Sequence, residues 1–172
     1  VDDDHATHAV VTALKMIQAT HKLSRIFNER NWPSVNIGVG ISSGDMNVGD
    51  MGSSYRKAYT VLGDEVNLGS RIESLTKYYG VDILITEKTL EQMSPNYILC
   101  RQVDKIRVKG KAQAVTVYQP IGFKEDSNKE IEDYLLLHKK GINAYTLGEW
   151  DEAIKVFNQL KQNDFCSKAL YD

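Results

Sequence analysis

The sequence predicts an α+β or α/β sandwich followed by a helical hairpin. Three observations carry this reading: a long N-terminal segment of helical periodicity, short alternating segments set between helices, and a second helical-period stretch beyond a polar run near residue 122. The predicted order up to that run is α-β-β-β-α-β-α-β-β.

Residues 4–31 read as the first helix: Asp4 is placed as its N-cap, and Val10, Leu14, Ile17, Leu23, Ile26 and Phe27 recur at helical spacing. Asn31-Trp32-Pro33 ends it, because the residue before a proline is pushed out of the helical region. VNIGVGIS alternates as a strand, with Val35, Ile37, Val39 and Ile41 on one face and Asn36, Gly38, Gly40 and Ser42 on the other. Gly38 and Gly40 permit close approach of a ligand, a partner chain or the protein's own sheet packing. Ser43-Gly44-Asp45 turns into a second strand at MNVG, and KAYTVL (57–62) forms a third. A helix over about 65–79 carries the stripe Leu68, Ile72, Leu75 and Tyr79. VDILIT (81–86) is a short buried strand, TEKTLEQM a short helix, and 97–108 and 112–119 are strands joined by a turn at Lys109-Gly110-Lys111.

Composition narrows the function classes. The 172 residues are 42% hydrophobic and 26% charged, enough apolar material for a packed core and incompatible with wholesale disorder. No run approaches the roughly 18 consecutive apolar residues of a membrane span, and the acidic start VDDDHATHAV does not read as a signal peptide. A net charge of -2 lacks the broad basic field of a non-specific nucleic-acid binder, so no nucleic-acid partner is expected. Cys100 and Cys166 fit no metal spacing, which points to a reducing, cytoplasmic setting. Residues 120–172 hold seven lysines against ten acidic residues, an acidic tail behind a nearly balanced first part.

The helix at 65–79 holds the most informative pair. Asn67 and Arg71 are spaced i,i+4 and share a face roughly opposite the Leu68/Ile72/Leu75 stripe. A hydrogen-bonding amide beside a fixed cation suits an anionic, hydroxylated ligand such as a nucleotide, although the same spacing also describes an ordinary solvated face.

The longer string MGSSYRKAYTVLGDEVNLGSRIESLTKYYG resembles the strand–turn–helix segment of class III nucleotide cyclases, the adenylyl and guanylyl cyclase catalytic domains. VNIGVGISSGDMNVGDMG is similar to that family's glycine-rich hairpin, VDKIRVKGKAQAVTVYQP to its closing Val-Lys-Gly-Lys hairpin, and VDDDHATHAVVTAL to the loop and helix after its second metal-binding strand. The resemblance covers about residues 1–119 and implies a ferredoxin-like α+β cyclase sandwich. The reaction it implies is attack of a ribose 3′-hydroxyl on the α-phosphate of a nucleoside triphosphate, with release of pyrophosphate.

Carried over residue by residue, the resemblance implies that Asn67 orients the ribose and Arg71 stabilises charge on the α-phosphate. Lys109 matches the triphosphate-binding lysine, and Arg56 or Lys57 is placed to add a triphosphate contact from the opposite subunit of a homodimer. Thr60, seven residues before Asn67, matches the position that reads the purine edge. A hydroxyl can accept from an adenine amino group and donate to a ring nitrogen, so ATP is the expected substrate, with GTP as the alternative.

The family uses two Mg²⁺ or Mn²⁺ ions, held by aspartates that precede the position matching Val1. Asp2, Asp3 and Asp4 are therefore not assigned to metal, and no ligand is expected in this chain. Residues 1–121 are accordingly expected to form the C-terminal two-thirds of a cyclase domain, incomplete at its N-terminus and inactive alone, with exposed strand edges that favour self-association. An upstream membrane anchor in a longer protein is compatible with this expectation.

Residues 122–172 are expected to hold a linker and a hairpin. Gly141, Ala144, Leu147, Gly148, Trp150, Ala153, Phe157 and Leu160 resemble the small/large pattern of one tetratricopeptide repeat, which implies a protein partner. Gly141 and Ala153 would let the helices approach, Trp150 and Phe157 would fill the gap, and Gly148 would supply the turn. A helical hairpin packed on the preceding domain is the alternative for this segment. For the whole chain, the alternatives are a silent regulatory cyclase-like domain and a repeat-based interaction module.

Overall fold

The computed structural model describes residues 2–53, 55–107 and 114–161, without the side chains of Ser53 and Arg56. The first helix, α1 (His5–Glu29), leads through an extended segment to β1 (Val39–Ile41). An antiparallel ribbon of β2 (Asn47–Ser53) and β3 (Arg56–Leu62) follows, then α2 (Asp64–Tyr79) and β4 (Ile83–Thr86). After the short α3 (Glu87–Glu91) come β5 (Ile98–Ile106), β6 (Val115–Phe123) and a single 3-10 turn at Lys124–Asp126. The chain then forms α4 (Lys129–Leu147) and α5 (Trp150–Lys161). Among the described residues, no helix is long and apolar enough to cross a membrane.

The main sheet has the order β1-β4-β6-β5, with β1 and β4 parallel and the other neighbours antiparallel. β4 explains its arrangement. All four residues of Ile83-Leu84-Ile85-Thr86 are buried, because helices cover both sheet faces there. Ile83 and Ile85 join Ala6, Val10, Leu14 and Ile17 of α1, whereas Leu84 joins Leu68 and Ile72 of α2 on the opposite side. The two-fold alternation of the strand thus divides one apolar run between two cores.

The element order matches the one predicted, and the bounds differ for physical reasons. β1 spans three residues rather than the expected eight, because its pairing with β4 is confined to Val39–Ile41. Its faces are as the alternation predicts: Ile37, Val39 and Ile41 pack towards α1. α1 reaches beyond the sheet, so Leu23 and Ile26 are exposed rather than core. Asp4 stands at its N-cap position without capping it; the carboxylate accepts from Ser94 Oγ at 2.9 Å. β6 runs to Phe123, past the strand end expected at residue 119 and through Pro120. Pro120 faces Cys100 at a register slip, and β4 pairs only with Val117 and Tyr118, so the missing amide proton of the proline interrupts no ladder.

The hairpin is present and rests on the sheet. Gly148 adopts φ 77° at the end of α4 and supplies the turn. A Cβ on Gly141 would come within 2.7 Å of Phe157 and 3.0 Å of Val156, so only glycine allows α4 and α5 this close. Trp150 does not fill the gap; it is exposed and meets the Tyr145 ring edge-on at 5.6 Å. Arg101 of β5 anchors α4 by donating from Nη1 to the Tyr134 hydroxyl at 2.5 Å. His138, one turn further along α4, is 2% exposed between the Tyr134 and Phe157 rings.

Burial first, and the nearby Arg101 charge second, push the His138 imidazole down to about 3. An imidazole in the unfolded chain titrates near 6.5. Below that pH the unfolded chain binds a proton that the native fold refuses, so stability is complete above about pH 6.5 and is lost as pH falls towards 3. We expect urea unfolding to show a loss on the order of 2 kcal/mol between pH 7.5 and pH 5, a window above ordinary carboxylate titration. His138→Gln should flatten that slope; an unchanged slope in the variant would reject the assignment.

Candidate functional site

The junction between β3 and α2 brings three of the five sequence-predicted site residues onto adjoining elements. Thr60 is half-buried on β3, opposite Gly49 of β2. The strand ends two residues later at Leu62, and α2 begins at Asp64. Asn67 lies in its first turn, its backbone N–H donating to the Gly63 carbonyl at 3.3 Å. Asn67 and Arg71 are both exposed, whereas Leu68 and Ile72 are buried against the sheet. The i,i+4 pair therefore occupies the solvent face of α2, as its spacing predicts.

Two local features fix that face; the sequence left the first open between a ligand, a partner chain and the protein's own packing, and gave no sign of the second. The first is a close approach of backbones. A Cβ on Gly40 would overlap the Gly69 carbonyl oxygen and lie 2.5 Å from the Glu73 nitrogen, and one on Gly38 would overlap Thr76 Oγ1. Gly38, just before β1, and Gly40 within it thus admit the protein's own helix rather than a ligand or partner chain. The second is a polar clasp at each end of α2. Ser42 Oγ donates to Glu65 Oε2 at 2.5 Å near its start, and Tyr79 Oη donates to Asp104 Oδ2 at 2.5 Å at its end. Burial, reinforced by the Asp104 carboxylate, holds the Tyr79 phenol above its ordinary range, so this donor stays protonated. A Ser and a Glu 23 residues apart leave no local pattern, which is why only the fold reveals that contact.

Of the other two predicted residues, only the backbone of Arg56 is described, and it is separate from this face. Arg56 starts β3, opposite Ser53 at the far tip of the ribbon. Four residue steps along the strand separate it from Thr60, about 13 Å at the usual rise per residue. Its side chain lies outside the described residues, as does the whole of Lys109.

The ribbon has an unusual surface. It is a two-stranded sheet of its own, not joined to the main sheet. Val48 is 54% exposed, Tyr59 75% and Leu62 54%, and Met46 and Val66 beside them are also exposed. By the register Val48 and Tyr59 share one face and Leu62 shares the other with Thr60, and isolated two-stranded ribbons with apolar exposure are marginal in water.

No group of three His, Cys, Asp or Glu side chains that could hold a metal ion occurs among the described residues. The N-terminal aspartates are engaged locally. Asp2 pairs with His8 Nδ1 at 2.7 Å and accepts from the Asp4 amide, which lowers its titration range. Asp4 is held by Ser94.

The adenylate and guanylate cyclase catalytic domain family matches residues 1–122. The terminal-differentiation specific adenylate cyclase of Dictyostelium discoideum is 36% identical over 155 residues, 88% of this chain and 7% of that protein. The chain thus spans only a small part of that relative, and an alignment of this extent necessarily runs past residue 122 and through α4. The crystal structure of the adenylyl cyclase CyaB from P. aeruginosa matches with a TM-score of 0.60 at 31% identity, over 72% of this chain and 60% of that one. The guanylyl cyclase Cya2 matches equally well, with a TM-score of 0.60 at 29% identity, over 74% and 63% of the two chains.

If the glycine contact places the Asn67/Arg71 face, filling it should be costly. Gly40→Ala is expected to lower unfolding free energy in urea by about 1–3 kcal/mol, the usual penalty for overpacking. Gly49→Ala, where an added Cβ meets nothing within 4 Å, should change it by less than about 0.5 kcal/mol. Equal effects at the two positions would remove the argument.

Proposed function

Because the chain belongs to the adenylate and guanylate cyclase catalytic domain family, we propose that it forms part of an adenylate cyclase, converting ATP into 3′,5′-cyclic AMP and pyrophosphate. The observation that carries this reading is the pairing of Asn67 and Arg71 on one exposed face of α2, next to the strand bearing Thr60. In the reaction, the ribose 3′-oxygen bonds to the α-phosphorus, the bond from that phosphorus to the bridging oxygen breaks, and pyrophosphate leaves with the electron pair. The 3′-hydroxyl proton is lost as the new bond forms.

Such a transfer needs positioning and charge neutralisation more than covalent participation. Asn67 offers two amide donors and a carbonyl acceptor for the ribose. Arg71 presents a planar, permanently charged set of donors to the α-phosphate as charge builds there. Thr60 reads the purine edge from the ribbon. Lys109 and Arg56 complete the triphosphate contacts, Arg56 from the ribbon tip of a second subunit.

Class III cyclase domains generally use divalent metal ions. Among the described residues no group of three carboxylate, His or Cys side chains gathers to hold a metal, and Asp2 and Asp4 are hydrogen-bonded elsewhere. The division of labour proposed here is that this chain supplies Asn67, Arg71 and the purine-reading position, and a partner subunit supplies the metal-binding aspartates. The exposed apolar ribbon beside Thr60 and Asn67 supports dimerisation with the site at the interface. A guanylate cyclase is the second reading, favoured by the equal likeness to Cya2 and by a threonine that can both donate and accept.

The 172-residue chain alone is expected to form no cyclic AMP from ATP with Mg²⁺ or Mn²⁺. Mixed with a family cyclase that keeps its metal aspartates but has alanine at the positions matching Asn67 and Arg71, it should restore cyclic AMP formation. An Arg71→Ala version should restore about 10²–10³-fold less, the usual cost of a lost transition-state contact. Activity of the lone chain, or no recovery at any mixing ratio, would overturn the proposal. Cyclic GMP formed preferentially from GTP would select the second reading.

A further inference from the structure

The ribbon face that carries Thr60 is mostly apolar. The register of β2 against β3 puts Asn47, Gly49, Met51, Ala58, Thr60 and Leu62 on it, because residues directly opposite in an antiparallel pair share a face. Among the described side chains of this face, only Thr60 and Asn47 carry hydrogen-bonding groups. Gly49 stands opposite Thr60, and Asn47, two residues before that glycine, is the diagonal neighbour of Thr60. Diagonal neighbours stand roughly 7–8 Å apart, close enough for one flat heterocycle to reach both.

Resting on the cyclase reading above, we infer that Asn47 is a second base-reading residue of the nucleotide site and that it selects adenine over guanine.

Three observations suit Asn47 to this role. A Cβ on Gly63 would lie 3.3 Å from both the Asp45 carbonyl oxygen and the Met46 Cα, so the start of β2 abuts the turn into α2. Asn47 therefore stands at the end of the ribbon nearest Asn67, away from its tip. The face also has room for a base. A Cβ on Gly49 would meet nothing within 4 Å, and Leu62, opposite Asn47, is 54% exposed. An uncovered apolar side chain beside an open gap fits the flat surface of a purine. Finally, neither the Asn47 amide nor the Thr60 hydroxyl is bonded to another described residue, and Asn47 is exposed.

The chemistry of the two bases decides the selectivity. Adenine presents its N6 amino donor beside the N7 acceptor, whereas guanine presents O6 and N7, both acceptors. The Asn47 carbonyl accepts from N6 while its amide nitrogen donates to N7, a two-bond match that guanine returns in neither orientation of the amide. Thr60 alone lacks this discrimination, because a hydroxyl donates or accepts as the base requires. With Thr60 on the N1/N6 side and Asn47 on the N6/N7 side, the pair covers the edge that distinguishes the two purines.

The test uses the complete 172-residue chain mixed with the family cyclase that keeps its metal aspartates but has alanine at the positions matching Asn67 and Arg71. Three substrates are compared by kcat/KM: ATP, GTP and 7-deaza-ATP, which has carbon in place of N7. The unsubstituted chain should use 7-deaza-ATP several-fold less well than ATP. Asn47→Ala should lower kcat/KM for ATP about tenfold or more, mainly through KM, because the contact is remote from the reacting phosphorus. The same variant should leave GTP unaffected and use ATP and 7-deaza-ATP equally. Arg71→Ala, by contrast, should lower turnover of all three substrates alike. An ATP-to-GTP preference unchanged by Asn47→Ala, equal losses on both nucleotides, or 7-deaza-ATP used as well as ATP by the unsubstituted chain would each overturn the inference while the cyclase reading stands. No cyclic nucleotide from the unsubstituted mixture would remove that reading and the inference together.

Discussion

Everything at the candidate site depends on how closely α2 lies against β1. A helix packed on a sheet normally rests on side chains. Here the backbones of Gly40, Gly69 and Glu73 are in contact, with no room for a Cβ on the strand. Steric repulsion rises steeply once backbones touch, and close packing leaves no slack, so a contact of this kind permits little rotation or sliding of the helix. Asn67 and Arg71 inherit their direction from it. Leu68 and Ile72 face the core, the two glycines set the distance, and the amide and guanidinium are left on the outer face. The Ser42–Glu65 and Tyr79–Asp104 hydrogen bonds then restrain the two ends of the same helix.

Much of this architecture was legible in the sequence because its signals are local. Alternation in VNIGVGIS assigned faces that the fold keeps, and the stripe through Leu68 and Ile72 located the buried side of α2. Reading failed where a partner decides the outcome. The length of β1 is set by which residues meet β4, and nothing within β1 encodes that limit. The strand expected to end at residue 119 continues through Pro120, because the donor a proline lacks is not needed where β4 has already stopped. Leu23 and Ile26 continue the helical stripe correctly; the sheet beneath them ends first.

The same distinction governs the site residues. Asn67, Arg71 and Thr60 could be placed from spacing and resemblance because one continuous strand–turn–helix carries them. Arg56, at the opposite end of the ribbon, cannot join them within one chain without spanning the length of β3. The proposed two-subunit site is what would bring a second chain's Arg56 to this face. Ribbon, exposed apolar surface and helix face belong to a single argument for dimerisation.

β5 ties the hairpin to this arrangement. Along one strand, Arg101 holds α4 through Tyr134, and Asp104, three residues later, holds the end of α2 through Tyr79. A register slip lies between those two anchors. The hairpin is therefore not a separate bead on a linker, whatever its kinship with helical repeats. Its first helix is pinned by a buried cation to the strand that also restrains α2. The likeness to the Dictyostelium adenylate cyclase, extending through α4, is what such a shared anchor would produce, since a helix bonded to the sheet would be retained with the sheet it supports.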